Sequence, residues 1–341
     1  MNILFIAPLK STFVKNDIAI LSEKHKLLLE NSEIGRGFKG LINLLIIIFR
    51  SFFRIFKVQA VFCWFGDYAS LFPTLFGRLF GKKVYVIAGG FDVSYIPELN
   101  YGARARAFRW FCAKNSFRFA TNVLPVSKFA EKCLNERMKG KVKKSVVVYN
   151  CIDVEKLISY KKDSSTTLRM TSERDIVLTV SRADDYIEYK LKGTDRFIKI
   201  ARQMSNRQFV IAGLQDTALE LARKEGGDSP NLKIIPGFLS LYNEIIPLYN
   251  QASAYVQLSL EESFGISVAE SMVFGCVPII TNKGGLPEVA GDKGIIVESD
   301  DDVINAIEQS FQYSQTQRDE LIEQATKFDI GARKNELLRI I

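Results

Sequence analysis

Short apolar segments of strand length alternate with helical patterns along most of the chain, and this alternation limits the fold more than any other feature. The segments are 3–8, 60–65, 83–89, 122–127 and 145–150 in the first half, then 175–181, 208–213, 232–237, 254–259 and 277–281. Unbroken apolar strands joined by helices indicate parallel sheets covered on both faces. Because 341 residues exceed one ordinary domain, we expect two doubly wound α/β domains facing a cleft.

Composition favours one division of the chain. Residues 157–175 are polar, rich in Ser and Thr and without apolar periodicity, which predicts a linker. The domains are therefore expected at 1–156 and 176–320. Ligands of open α/β sheets bind beyond the carboxyl ends of the strands, so a site is expected in the cleft.

The few histidines and scattered cysteines exclude several kinds of chemistry. His25 is the one histidine, and the five cysteines form no CxxC pair. These counts argue against a His-rich metal site, a His-dependent triad away from residue 25 and a disulfide framework. No cleavable apolar segment stands at Met1, and together these features predict a reduced, cytoplasmic protein.

Charge is distributed unevenly between the two halves. Residues 1–153 carry a net charge of +14 and the remainder carries −6. The basic half is expected to meet an anionic partner, and charge alone fits nucleic acid, a phosphorylated substrate or acidic lipid. Because the chain has no RNP, KH or helix-turn-helix pattern, nucleic acid is not expected.

The stretch EESFGISVAESMVFGCVPII, residues 261–280, places two glutamates near the start of a predicted helix. Glu262 lies in the loop after strand 254–259, and Glu270 lies one turn inside the helix that begins near Ile266. The free N–H groups of a helix start bind phosphate, and carboxylates accept hydrogen bonds from sugar and ribose hydroxyls. The spacing suits a nucleotide sugar. Alternatively, Glu262 complements the helix dipole and Glu270 is an ordinary solvated residue.

A longer pattern carries a family resemblance. Glu262-x-Phe264-Gly265, with Glu270 and the following MVFGCVPIITNKGGLPEVAG, resembles the signature of the retaining GT-B glycosyltransferases of family four, the glycosyl transferases group 1. The segments VSRADDYIEYKLKGTDRFIKIA and VVVYNCID are similar to further elements of that family. The resemblance implies a GT-B fold with an N-terminal acceptor domain, a C-terminal donor domain, and helices at 321–341 that return to the first domain.

The same resemblance implies roles for individual residues. Arg182 and Lys192 would hold the donor diphosphate and Glu262 the sugar, with Asp92 as a catalytic residue of the first domain. The other donor contacts would be Phe264, Gly265, Ile266, Ser267, Glu270, Gly213, Ser11 and Thr12. Neither metal nor cofactor is expected, because an Arg fork and a Lys charge stabilise the leaving diphosphate.

Two departures from the family pattern leave alternatives open. The loop between Arg182 and Lys192 is longer than usual, so Lys190 is a second candidate for the phosphate position. Gly89 stands where many family members have a histidine, although Asp92 of the same element is present.

The expected activity is transfer of a sugar from a nucleotide-sugar donor to a glycan or lipid-linked acceptor, in cell-surface polysaccharide or glycolipid synthesis. The alternative is a non-catalytic nucleotide-sugar-binding or membrane-scaffolding protein of the same fold.

A nicotinamide-dependent enzyme is a third hypothesis, because GRGFKG at 35–40 matches G-x-G-x-x-G. However, no acidic residue follows at the distance that dinucleotide binding requires. That segment is expected to be a flexible loop. The acidic run at 299–303 is expected to cap a helix rather than bind metal.

The basic half also predicts a surface for membranes. The polar residues Arg36, Asn43, Arg50 and Lys57 recur every seven positions, with Arg54 on the same face, which predicts an amphipathic helix too short to span a bilayer. Basic and aromatic residues are also interleaved at 103–120. We expect peripheral binding to the anionic inner face of the plasma membrane through these basic residues. The alternative is a sheet-covering helix with its apolar side buried and its basic side in water.

Overall fold

The computed structural model describes residues 1–35, 37–167 and 174–341. The chain divides into two compact units, Met1–Cys151 with Ile330–Ile341, and Ile152–Asp329. Each unit contains one parallel sheet with helices packed on it. The prediction of two doubly wound α/β domains is therefore confirmed.

The first unit is built on a five-stranded sheet. Its strands are β1 (Asn2–Ala7), β2 (Lys26–Asn31), β3 (Ala60–Trp64), β4 (Lys83–Ala88) and β5 (Asn122–Pro125). Their order is β2-β1-β3-β4-β5, and all neighbours are parallel. The three central strands are buried along almost their whole length, as strands covered on both faces must be.

Helices connect these strands and cover the sheet. They are α1 (Thr12–Ser22), α2 (Gly37–Arg54), α3 (Tyr68–Leu79), α4 (Ala107–Phe119) and α5 (Lys128–Met138). Short 3-10 turns occur at Ile55–Lys57, Pro97–Leu99 and Ala103–Ala105. The GRGFKG segment is thus not wholly a loop, because α2 begins at Gly37; Arg36 lies outside the described residues.

The second unit is built on a six-stranded sheet. Its strands are β6 (Ile176–Ala183), β7 (Gln208–Leu214), β8 (Leu232–Pro236), β9 (Ala252–Gln257), β10 (Val277–Thr281) and β11 (Ile295–Val297). The order β11-β10-β9-β6-β7-β8 is again parallel throughout. From β6 the chain continues to β7 and β8 on one side of the sheet and then to β9, β10 and β11 on the other side. Open α/β sheets form their ligand crevice at such a change of direction.

The helices of the second unit begin with α6 (Val154–Thr167), α7 (Tyr186–Leu191), α8 (Thr194–Gln203) and α9 (Asp216–Gly226). A π turn at Leu241–Ile245 leads into α10 (Ile246–Gln251). They continue with α11 (Ile266–Val273), α12 (Leu286–Ala290), α13 (Asp300–Ser310) and α14 (Gln315–Thr326).

The last helix, α15 (Ile330–Ile340), belongs to the first unit. Its Arg333 donates to both carboxylate oxygens of Asp17 on α1, at 2.6 and 2.8 Å, and to two backbone carbonyl groups. The indole N–H of Trp64 donates to the same carboxylate at 2.9 Å. Arg333 and Asp17 are both buried, so a fully hydrogen-bonded ion pair attaches the end of the chain to the first sheet.

Most of the predicted strands are present, with one exception. Segment 145–150 forms only a single bridge, from Ser145 to Val123 of β5, although Val146 and Val148 still donate to carbonyls of β5. The sequence pattern also misses β2 and β11. Both are edge strands, β2 carries charged side chains and β11 has three residues, so neither presents the long apolar run of a central strand.

The domain boundaries differ from those predicted. The second unit begins at Ile152, and the predicted linker 157–175 starts inside α6, which buries Val154 and Leu157. Residues 168–173 of that linker lie outside the described residues.

The return to the first unit begins at Ile330 rather than at residue 321. Leu321 and Ala325 of α14 are buried in the second unit, and α14 packs there against α11. Of the described helices that follow β11, α15 alone therefore belongs to the first unit.

We predict that Arg333→Leu lowers the free energy of unfolding by about 3–5 kcal/mol, because it leaves the Asp17 carboxylate buried without its counter-charge. Urea denaturation of the full chain measures this change. Lys334→Ala is the matched control, since the neighbouring Lys334–Glu23 pair is exposed, and it should cost less than about 1 kcal/mol. Equal losses in the two variants would contradict the assignment of a structural role to the buried pair.

Candidate active site

The candidate site lies at the carboxyl edge of the second sheet. Because parallel strands end at the same edge, the segments that follow β6, β7 and β9 meet there. Arg182 lies near the end of β6 and is exposed. Gly213 lies near the end of β7, where an added Cβ would be 3.4 Å from the carbonyl oxygen of Ser181.

An ion pair forms the centre of this edge. Lys192 Nζ lies 2.5 Å from Glu262 Oε2, and the side chains are 27% and 20% exposed. Gln257, at the end of β9, donates to the same carboxylate oxygen at 3.1 Å. A cation and a carboxylate that are both partly exposed thus lie together at the solvent, where each can bind a polar ligand.

A close approach between two backbone segments brings this pair together. Gly193 has a φ of +69°, and a Cβ there would lie 2.2 Å from the carbonyl oxygen of Leu258. The N–H of Leu260 also donates to the carbonyl of Leu191 at 2.8 Å. Since any side chain at position 193 would separate the segments, glycine is what lets Lys192 reach the loop after β9.

A second close approach supports the loop that carries Glu262. A Cβ at Gly284 would lie 2.0 Å from the carbonyl oxygen of Glu262, and one at Gly285 would lie 2.4 Å from that of Ser263. The N–H of Gly285 donates to the Glu262 carbonyl at 2.6 Å. The glycine pair after β10 therefore fixes the position of the Glu262 backbone.

The structure separates the two lysines that the sequence left as alternatives. The long loop after β6 folds into helix α7, which contains Lys190 and ends one residue before Lys192, so the two lysines have different neighbours. Lys190 Nζ lies 2.7 Å from Asp195 of α8, and this contact raises the pKa of Lys190. Lys192 is the lysine that reaches Glu262.

Arg182 is held by an aromatic ring. Its guanidinium carbon lies 4.7 Å from the centre of the Phe238 ring, which is 67% exposed. Asp185 instead caps α7 by accepting from the N–H of Glu188, and Asp184 accepts from Gln215. In the described part of the chain, neither aspartate therefore neutralises Arg182, whose charge faces solvent.

Helix α11 begins at the site. Gly265 precedes it with a φ of +98°, and the ring of Phe264 is buried against Phe328, with 5.2 Å between ring centres. The anchored ring and the glycine turn direct the N–H groups of Ile266 and Ser267 outward from the helix start, where a helix binds anions.

Glu270 has an environment unlike that of Glu262. It is partly buried one turn along α11, and the hydroxyl of the fully buried Tyr249 donates to its Oε2 at 3.2 Å. Burial raises the pKa of Glu270 to about 7, and the tyrosine hydrogen bond only partly offsets this rise. The side chain can thus accept hydrogen bonds when ionised and donate one when protonated.

The predicted residues of the first unit lie at the carboxyl edge of its own sheet. Ser11 precedes α1 and Thr12 begins it, directly after β1. Asp92 is buried and accepts from the N–H groups of Gly66, Gly89 and Gly90, at 2.9, 3.1 and 2.9 Å. Burial raises the pKa of Asp92 to about 6 against these hydrogen bonds. Both carboxylate oxygens are therefore used to hold the loops after β3 and β4.

Position 89 has no room for a side chain. A Cβ at Gly89 would lie 2.1 Å from Cε1 of Phe65, a residue with a φ of +70°. The Phe65 ring packs against Phe13 and Trp64. Thus the space beside position 89, where the resemblance places a histidine, is filled by phenylalanine.

Sequence reasoning missed Gln257, Tyr249 and Phe238. Gln257 had a detectable signal, because it is a polar residue at the carboxyl end of a buried strand, where ligands of parallel sheets bind. Tyr249 and Phe238 lie in α10 and after β8, and only the packing of those elements brings them to Glu270 and Arg182.

The acidic run at 299–303 starts helix α13, as predicted. Ser299 and Asp302 form a capping box, and Asp300 pairs with Lys199 at 2.6 Å. Within the described residues, no group of three His, Cys, Asp or Glu side chains is arranged to hold a metal ion.

Comparison with known families gives a match over most of the second unit. The family model for glycosyl transferases group 1 matches residues 161–328, which include the Lys192–Glu262 pair and α11. No match was found among curated protein sequences.

Solved structures resemble the whole chain. A glycosyltransferase from Rickettsia africae has a TM-score of 0.73 and 16% identity, covering 99% of this chain and 97% of its own. Anabaena HepE in complex with UDP and glucose has a TM-score of 0.75 and 14% identity, covering 100% and 99%. The trehalose-6-phosphate protein of E. coli bound with UDP-2-fluoro glucose has a TM-score of 0.75 and 10% identity, covering 100% and 98%. The chain therefore has the GT-B fold of these glycosyltransferases.

The raised pKa of Glu270 predicts a pH-dependent stability. A carboxyl group whose pKa is higher in the folded state contributes stability below its unfolded pKa and loses it as pH rises towards the folded value. We expect Glu270→Gln to gain thermal stability relative to the wild type as pH rises from about 4.5 to about 7, with no further gain above that range. Melting temperatures of both proteins across this range measure the effect. A difference that stays constant with pH would refute the buried placement of this carboxylate.

Proposed function

We propose that this protein is a retaining, metal-independent glycosyltransferase that moves a sugar, of hexosyl type, from a nucleotide-sugar donor to a glycan or lipid-linked acceptor. The observation that carries the proposal is the Lys192–Glu262 pair at the carboxyl edge of the second sheet, next to the start of α11 and within the matched residues. The pair offers a cation for phosphate and a carboxylate for sugar hydroxyls at adjacent positions.

The structural neighbours support the choice of donor. HepE is seen with UDP, with UDP and glucose and with UDP-glucose, and the E. coli protein with UDP-2-fluoro glucose. A trehalose-6-phosphate synthase of 9% identity was studied for glycosyl transfer with retention. A nucleoside diphosphate sugar is therefore the donor class that we propose for this chain.

In this proposal, the second unit holds the donor. Arg182, Lys192 and the N–H groups at the start of α11 neutralise the diphosphate, whose negative charge grows as its bond to the sugar breaks. Glu262 and the backbone from Phe264 to Ser267 hold the sugar. Glu270 holds the ribose. Gly213, which has no side chain, leaves space for the diphosphate at the end of β7.

The proposed reaction needs no protein nucleophile. The bond between the anomeric carbon and the diphosphate oxygen breaks while the acceptor oxygen forms its bond on the same face. The acceptor proton passes to the departing diphosphate. No electrons are exchanged with a cofactor, and the charge is stabilised by Arg182 and Lys192 without a metal.

The first unit contributes positioning in this scheme. The N–H groups at Ser11 and Thr12 are proposed to face phosphate. For Asp92, the three backbone hydrogen bonds favour a positioning role, because both carboxylate oxygens already have partners. Gly89 and Phe65 together support a sugar site without a histidine at position 89.

The test of this function is release of nucleoside diphosphate from a panel of nucleotide sugars, UDP-glucose first. We expect Lys192→Ala to lower the turnover rate by about 100-fold, near 3 kcal/mol, because it removes a charge that acts on the leaving group. Lys190→Ala is the matched control and should retain most activity, since Lys190 pairs with Asp195. Loss of activity in Lys190→Ala alone would move the phosphate site to that residue. Donor binding without any turnover by the wild type would favour the non-catalytic alternative.

A second experiment separates the two glutamates. Glu262→Gln should lower kcat and leave the affinity for UDP nearly unchanged, because UDP lacks the sugar that Glu262 is proposed to hold. Glu270→Gln should weaken UDP binding and raise KM for the donor together. Calorimetry with UDP and steady-state kinetics measure both. An equal loss of UDP affinity in the two variants would contradict the proposed division of roles.

A further inference from the structure

Three polar side chains of helix α2 bind neighbouring parts of the first unit. Arg54 donates to Glu30 of β2 at 2.6 Å, Arg50 pairs with the other oxygen of that carboxylate at 3.3 Å, and Asn43 donates to the carbonyl of Ile34. Glu30 is buried. Most of the polar stripe that the sequence predicted as a free basic surface is therefore used to attach α2 to the edge of its own sheet.

The apolar side of α2 faces solvent. Its exposed residues follow the 3.6-residue period of one helix face: Phe38, Leu41, Ile42, Leu45, Ile46, Phe49, Phe52 and Phe53. Phe38 is 77% exposed and Phe49 is 66% exposed. Only Gly40, Ile47 and Ser51 of this helix are buried, so the alternative of a sheet-covering helix with a buried apolar side is wrong.

The exposed apolar surface continues onto the end of α3. Phe52 contacts Phe76 and Phe80 edge-on, and Phe56 contacts Phe80 with 4.8 Å between ring centres. Leu79 beside them is 67% exposed. The 18 residues of α2 alone span about 27 Å at 1.5 Å per residue, so the patch is far larger than the scattered apolar exposure of a soluble surface.

Charge around this patch identifies its partner. The sequence has no acidic residue between Glu33 and Asp67, while Lys39, Lys57, Arg78 and Lys83 are exposed near its ends. Two copies of such a face would bring like charges together at their rims, which opposes self-association. An anionic lipid surface satisfies both the apolar face and its basic rim.

We propose that α2 with the end of α3 is a membrane-insertion surface, which lies in the plane of an anionic bilayer with its phenylalanine and leucine side chains among the acyl chains. No helix in the described residues is long and apolar enough to cross a membrane. Apolar insertion supplies most of the binding in this arrangement, and the rim lysines and arginines add attraction to anionic headgroups. This differs from the sequence-based expectation, in which the basic stripe itself carried the binding.

The test is flotation of the full chain with vesicles of phosphatidylcholine and phosphatidylglycerol, without nucleotide sugar. The double substitution Phe38→Ser/Phe49→Ser should lower the partition coefficient by at least about tenfold, because it removes two rings from the bilayer. The matched control is Phe108→Ser/Phe111→Ser on α4, whose rings are 65% and 55% exposed in the same unit. It should bind like the wild type, and the wild type should keep part of its binding when the salt concentration is raised.

Several outcomes would overturn the proposal. A larger loss in the α4 variant would place the membrane-binding surface at 103–120. Complete loss of wild-type binding at raised salt would mean that charge alone binds the chain to the membrane. A wild-type dimer in size-exclusion chromatography that Phe38→Ser/Phe49→Ser abolishes, with no vesicle binding, would assign α2 to a second copy of the chain. Should the double variant fail to fold by circular dichroism, Phe38→Ser alone should weaken vesicle binding by about threefold. Because vesicle binding is measured without donor, its failure leaves the proposed transfer reaction standing.

Discussion

The site depends on close contact between backbone segments at the carboxyl edge of the second sheet. Gly193 lies against the carbonyl of Leu258, and Gly284 lies against that of Glu262, at distances that exclude any side chain. These contacts set the 2.5 Å separation of Lys192 and Glu262. Charges fixed by the backbone in this way need little rearrangement when a ligand arrives, which is what electrostatic catalysis requires.

The two glutamates of the signature lie in different environments, and this difference gives them different chemistry. Glu262 accepts from a lysine and from a glutamine amide, so its carboxylate has two partners already in place. Glu270 has a buried tyrosine hydroxyl as its partner, and burial raises its pKa to about 7. Two nearby carboxylates in such different environments can bind different parts of one ligand.

Much of the fold was predictable because parallel strands buried on both faces are mostly apolar, and the central strands of both sheets show this pattern. The edge strands β2 and β11 were not predictable in this way, because β2 carries the charged residues Lys26 and Glu30 and β11 has three residues. At the site, the sequence pattern predicted that Glu262 lies in the loop after a strand and that Glu270 lies one turn inside the next helix. The distinction between Lys190 and Lys192 was not, because it rests on the turn of helix α7 and on the position of Asp195.

By itself, the sequence determined the alternation of strands and helices, the uneven charge and the chemical groups available at the site, because these follow from local pattern and composition. The tertiary structure decided which groups face each other and which side of a helix faces water. Helix α2 shows the reason. The sequence predicted its amphipathic period, but the buried Glu30 of β2 binds Arg50 and Arg54, and the phenylalanine side is left exposed. The direction of an amphipathic helix is set by the partner that its neighbours offer, and that partner lies elsewhere in the chain.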